Sequence, residues 1–147
     1  MPDAKGLVTV HLVDSKTYSR GYGYPAIQAA RMAEAGHGVP EILDYLHDFF
    51  DRLEIYLACY TLEYARRSGR IPAAAAVVGD ALGLRPIIAM IDGTTKTVEK
   101  VRGHKNVPQK QLELYRRQRE SEGSFAFVIS AAMDEYGDVL QPALETE

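Results

Sequence analysis

The chain has no tryptophan and a single cysteine, Cys59. One thiol excludes a disulfide framework and a thiolate metal cluster. With Tyr56, Leu57 and Ala58 before it, Cys59 reads as a packed thiol at a strand end rather than a nucleophile. No apolar run approaches the ~20 residues needed to cross a bilayer, and no charged-then-apolar leader opens the sequence. The expected location is therefore the cytoplasm. Positive charge is not in excess either: 17 Lys and Arg face 20 Asp and Glu, a net charge of −3. That balance offers no broad basic face to nucleic acid. Arg116, Arg117 and Arg119 are interleaved with Glu113, Glu120 and Glu122 and read as a solvated helix face. The four histidines, His11, His37, His47 and His104, have no partners at metal-ligand spacing, so neither a metal nor a cofactor is expected. Repeats and low-complexity tracts are missing as well.

What is present is an alternation of strand-like and helix-like segments over 147 residues, the size of one domain or of two small lobes. Leu7 to Val13 is rich in β-branched residues and reads as a buried, parallel strand. Pro25 suits the first position of a helix running to about Ala35. A second helix follows Pro40, with Ile42, Leu43, Leu46, Phe49, Phe50 and Leu53 at amphipathic spacing. Glu54 to Cys59 reads as a short strand. Thr61 caps a helix with Tyr64 and Ala65 inward, and Gly69 breaks it. A small-residue helix covers Ala73 to Ala81. Leu84 to Ile91 is the strongest strand signal; Asp92-Gly93 signals a hairpin, and Thr94 to Val101 returns. A polar helix over Pro108 to Ser121, a strand over Phe125 to Ile129 and a helix over Met133 to Leu144 follow, the last weakened by Pro142. The class is α/β, with a mixed second sheet.

Gly21-Tyr22-Gly23-Tyr24-Pro25-Ala26 matches the dinucleotide pattern G-x-G-x-x-A. Seven residues separate it from the preceding strand, too many for a tight phosphate turn, so it reads as a glycine loop before a helix. Asp14-Ser15 stands at a strand's carboxyl end, where α/β proteins place ligand groups, and Ser15 or Ser19 could contact a polar ligand. Arg70 and Arg102 sit in glycine-flanked turns, Ser68-Gly69-Arg70 and Val101-Arg102-Gly103. Guanidinium groups suit bidentate recognition of carboxylate or phosphate. Chemistry alone leaves two readings open: an anionic docking point, or surface arginines holding helix termini.

Several motifs in order resemble the DegV family of fatty-acid-binding proteins. Asp14-Ser15 with Ser19, Gly21 and Gly23 resembles the family's "v-DS…S-x-G-x-G" segment. Val39-Pro40-Glu41-Ile42 resembles its "s-x-eeI" helix. Thr61-Leu62-Glu63-Tyr64 with Gly69-Arg70-Ile71 resembles "tLeyLkkgGRI", Leu84-Arg85-Pro86-Ile87 resembles "LnikPi", and Asp92-Gly93 and Val101-Arg102-Gly103 complete the series. The resemblance runs from about Val8 to the chain end. It implies the EDD fold of a bacterial cytoplasmic protein. Residues 1–54 would hold the final strand and helices of the N-terminal, parallel-sheet lobe, and 55–147 a partial, mixed-sheet C-terminal lobe.

The resemblance further implies a non-enzymatic carrier that binds a long-chain fatty acid between two lobes and presents its carboxylate to a fatty acid kinase. Arg70 and Arg102 match the two turn arginines linked to kinase engagement in the family. Ile71, Ala75, Val78, Leu82, Ile88 and Met90 are expected to form one apolar wall or to pack a core. Ser68 replaces the first glycine of the GGRI turn. The family's early aspartate-serine strand, its "T-SQPS" and "SGT" segments and its closing glycine-rich segment with a histidine are not found. A partial or truncated form is therefore expected. The alternative reading is an interaction module that keeps the kinase-docking surface without lipid. Homo-oligomerisation stays open.

Overall fold

The structure is a computed structural model and describes residues 6, 8–69, 79, 81–91, 93–119 and 135–146. The elements are α1 (Arg20–Glu34), α2 (Val39–Arg52), β1 (Ile55–Ala58), α3 (Glu63–Arg67), β2 (Leu84–Ile91), β3 (Thr94–Arg102), α4 (Val107–Gln118) and α5 (Glu135–Glu145), with a 3-10 turn at His104–Asn106 before α4. The three strands form one sheet in the order β1-β2-β3. The chain divides into two units: residues 1–55 with 90–94, and residues 56–89 with 95–147. The expected helix over Ala73 to Ala81 lies mostly outside the described residues, and the strand over Phe125 to Ile129 lies wholly outside them.

In the first unit α1 packs on α2. The apolar stripe of α2 drives this: Phe49 lies 5.8 Å from the ring of Tyr24 on α1, 6.1 Å from Tyr45 and 5.9 Å from Phe50, the last edge-on. Such tilted and edge-to-face pairs match the ring quadrupole. Burial, and secondarily the neighbouring Tyr24, raises the Tyr45 phenol above its ordinary value. On the polar side Arg52 grips Asp48 through Nε at 3.1 Å and Nη2 at 2.7 Å, one helical turn apart.

Two expectations for this unit are corrected. The helix begins at Arg20, five residues before Pro25, so Gly21 and Gly23 are helical rather than in a loop; neither has a positive φ. Gly21 is there for closeness. A Cβ at this position would meet Thr17 Oγ1 at 2.5 Å and Ile55 Cδ1 at 3.1 Å. The dinucleotide pattern is thereby removed as a phosphate loop. Second, residues 8–18 carry no strand, and Val8, Val10 and Leu12 are exposed, Leu12 to 95%. A parallel strand needs a hydrogen-bonded neighbour and cover on both faces, and this segment belongs to no sheet among the described residues.

The second unit is built on β2. Ile87, at the centre of the strand, is fully buried with Val107 and Leu114 of α4, and Tyr56, Ala58, Val101 and Tyr136 pack around them. Burying each large aliphatic side chain contributes about 1.5–3 kcal/mol. Helices α4 and α5 pack together, and Pro142 is accommodated inside α5. At the hairpin, whose residues 90–94 belong to the first unit, Gly93 has φ +73 and Thr94 Oγ1 donates to Ile91 O at 2.9 Å, which accounts for the Asp-Gly signal. Thr61, expected to cap α3, stands one residue too early: Leu62 holds the cap position without a side-chain bond, and Thr61 Oγ1 accepts from the Glu63 N–H at 3.2 Å across the preceding turn. Gly69 follows α3 with φ +71. Tyr64, expected inward, is instead 71% exposed. In a helix of five residues, one face suffices for packing, and buried Leu62 supplies it from the turn before.

Candidate functional site

Arg102 is the last residue of β3 and is exposed. Its guanidinium makes no ion pair or hydrogen bond among the described residues. The peptide that follows it is held at both ends. The Gly103 N–H donates to Gly83 O at 2.8 Å, and Asn106 Nδ2 donates to Arg102 O at 2.8 Å. Gly103 has φ +77 and Gly83 φ +64, backbone that favours glycine, which is why both sides of this contact are glycines. Arg70 lies outside the described residues, as do Ile71, Ala75 and Val78.

The 3-10 turn after Arg102 leads into a ring cluster in the same unit. The Tyr60 ring lies 5.2 Å from His104 and 6.0 Å from Tyr136. His104 Nδ1 faces Glu135 Oε2 at 3.8 Å, an ion-pair distance when the imidazole is protonated and too long for a hydrogen bond. The Tyr136 hydroxyl is buried with no hydrogen-bond partner among the described residues, and burial raises its pKa above the ordinary value. Burial likewise raises the Cys59 thiol, which disfavours the thiolate a nucleophile needs. Sequence reading missed this cluster because its members come from three separate segments.

In the first unit, Ser15 and Ser19 lie on a constrained segment. The Lys16 N–H donates to Asp14 Oδ1 at 3.0 Å, so Asp14 closes a local turn. Lys16 has φ +48 and Ser19 φ +56, unusual for residues with a Cβ. Ser15 is partly buried. Ser19 occupies the position before α1, is exposed, and makes no capping hydrogen bond. The hairpin turn abuts this segment: a Cβ at Gly93 would come within 3.6 Å of Lys16 Cβ.

The described wall residues divide. Along β2, Ile87 and Ala89 are buried, while Ile88 and Met90 are half-buried; alternation along a strand sends the two pairs to opposite faces. Ile88 and Met90 therefore share the face turned away from the Ile87 core. Leu82 precedes the strand and is 51% exposed. Among the described residues no group of three or more His, Cys, Asp or Glu could hold a metal ion, and no helix is long and apolar enough to cross a membrane.

A family profile described as "Uncharacterised protein, DegV family" matches residues 3–145. The chain belongs to the DegV family. A DegV domain-containing protein of Deinococcus radiodurans is 32% identical over 112 residues, 76% of this chain and 39% of the relative. One from Caldanaerobacter subterraneus is 31% identical over 96 residues, 65% of this chain and 34% of the relative. The chain thus spans less than half the length of either relative. Among solved structures, a Thermus thermophilus DegV protein described by its fatty acid binding superposes with a TM-score of 0.64 at 27% identity, over 80% of this chain and 42% of that one. The Thermotoga maritima DegV lipid-binding protein gives 0.62 at 26%, over 82% and 42%. The Corynebacterium glutamicum DegV protein gives 0.71 at 26%, over 92% and 52%. The α/β class and the DegV fold expected from the motifs are borne out.

Proposed function

We propose that this chain is a non-enzymatic, cytoplasmic fatty-acid-binding unit of the DegV type, which holds a long acyl chain and presents its carboxylate to a fatty acid kinase. The observation that carries the reading is the similarity to the Thermus thermophilus fatty-acid-binding protein over 80% of the chain. The physical driving force is the burial of methylenes, at about 0.8 kcal/mol each. Ile88 and Met90, on the face of β2 turned from the core, supply part of the apolar wall, with Ile71, Ala75 and Val78. Ser15 and Ser19 offer hydroxyls to the carboxylate. Arg102, with Arg70, forms the anionic docking point for the kinase. Incubating the purified protein with palmitate and recording native mass spectra tests this; a bound acyl chain is expected, and none after saturating incubation overturns it.

A second reading is an interaction module that docks the kinase without lipid. The clamped Arg102–Gly103 peptide favours it, because Gly83, Arg102, Gly103 and Asn106 all belong to the second unit. It predicts kinase binding by lipid-free protein, reduced by Arg102→Ala or Arg70→Ala.

A further inference from the structure

We infer that Asn106 is the positioning residue of the Arg102 turn: its side chain fixes the direction in which the arginine is offered to an anion. This rests on the reading of Arg102 as a docking residue. Asn106 stands immediately before α4, the position where an asparagine side chain ordinarily accepts from the N–H groups of the first helical turn. Here it makes no capping bond. Pro108, the second residue of the helix, has no N–H to offer, and the side chain turns the other way, donating through Nδ2 to Arg102 O at 2.8 Å.

The contact engages the backbone that carries the arginine. Arg102 O and the Gly103 N–H belong to one peptide group. Gly83 O accepts from its nitrogen end and Asn106 donates to its oxygen end, both at 2.8 Å. With the peptide plane after Arg102 held on opposite edges and the backbone before it held in β3, the Arg102 Cα–Cβ vector is fixed relative to the unit. The Asn106 N–H also donates to Gly103 O at 3.2 Å, closing the turn on itself. The far side of the turn is seated by the His104 ring against Tyr60. A residue placed to cap a helix instead braces the one exposed, unpaired guanidinium in this turn. Bidentate recognition of a carboxylate or phosphate depends on such a fixed approach.

Asn106→Ser in the full chain is the test, because serine also caps helices but is too short to reach Arg102 O. Two readouts are taken with Arg102→Ala as control: the shift of the Arg102 Nε–H resonance on titration with inorganic phosphate, and hydrogen exchange of the Gly103 amide without any anion. The inference predicts phosphate affinity weakened about fivefold, the equivalent of one lost hydrogen bond, and faster Gly103 exchange, with the melting temperature unchanged. Wild-type values for both readouts in Asn106→Ser overturn it, as does faster exchange with undiminished phosphate affinity. An Arg102 resonance that ignores phosphate in the wild type overturns the docking reading instead. In that case Gly103 exchange still decides whether Asn106 holds the turn.

Discussion

Ile87 and Ile88 are adjacent in sequence and lie on opposite faces of β2. Ile87 is 0% exposed, at the centre of the second unit's core, and Ile88 is half-buried on the other face. The same side chain at two consecutive positions therefore meets two different environments. Ile87→Ala is expected to cost 2–5 kcal/mol in denaturant unfolding, the range for a large aliphatic truncated in a packed core. Ile88→Ala is expected to cost less than half of that and to weaken acyl-chain binding by several-fold. Equal destabilisation by both, with lipid affinity untouched by Ile88→Ala, would remove Ile88 from the proposed wall.

Gly21 and Gly23 make a similar contrast on α1. At Gly23 a Cβ would meet nothing within 4 Å, so Gly23→Ala is expected to raise stability by about 0.5–1 kcal/mol through helix propensity alone. At Gly21 the Cβ would sit 2.5 Å from Thr17 Oγ1, so Gly21→Ala is expected to destabilise. Thermal melts of the two variants check the helical register. A destabilised Gly23→Ala would argue for a loop there.

Tyr136 predicts a pH dependence. Its buried hydroxyl has no partner among the described residues, and burial lifts its pKa above the ordinary 10.0; the Cys59 thiol is lifted above 9.0 for the same reason. In both cases the unfolded chain releases its proton before the folded one does. Stability is therefore undiminished by these groups below about pH 9 and falls as the pH rises past their ordinary values. Tyr136→Phe removes an unsatisfied polar atom and keeps the ring, so it is expected to be neutral or stabilising by roughly 1 kcal/mol near pH 7. It should also flatten the alkaline loss measured by urea unfolding between pH 8 and pH 11. A strongly destabilised Tyr136→Phe would show that the hydroxyl has a partner after all.

The arginine turn gives a prediction on partner binding. Arg102→Ala is expected to weaken kinase binding at least tenfold without changing the melting temperature, since the exposed guanidinium makes no ion pair or hydrogen bond among the described residues. Surface plasmon resonance against an immobilised fatty acid kinase reads this directly. Unchanged affinity would return Arg102 to the status of a surface charge.

How far the sequence could be read depended on whether the signal was local. The hairpin was legible because Asp92-Gly93 and the β-branched run before it are neighbours in the chain, and Gly93 takes the left-handed backbone such a turn needs. Helix α2 was legible because its apolar period is strong over fourteen residues. The start of α1 was misplaced because glycine suggests a loop, whereas Gly21 is selected by the approach of Thr17 and Ile55. The strand over Leu7 to Val13 was expected from composition alone. Pairing is a property of neighbours that composition does not contain. Asn106 was invisible for a related reason: an asparagine before Val107-Pro108 reads as a helix cap, and only the coordinates show its amide donating backwards to Arg102. Of the proposed site residues, Ile88 and Met90 are half-buried on β2 and Leu82 is exposed ahead of it.

The most direct test of the account is organic extraction of the protein purified from its expression host, followed by mass spectrometry of the extract and native mass spectrometry of the protein. The account predicts one acyl chain per protein chain, recovered in the extract as a long-chain fatty acid and restored by palmitate after delipidation. Protein that emerges without lipid, and takes up none from a saturating palmitate solution while its fold is intact by circular dichroism, would contradict it.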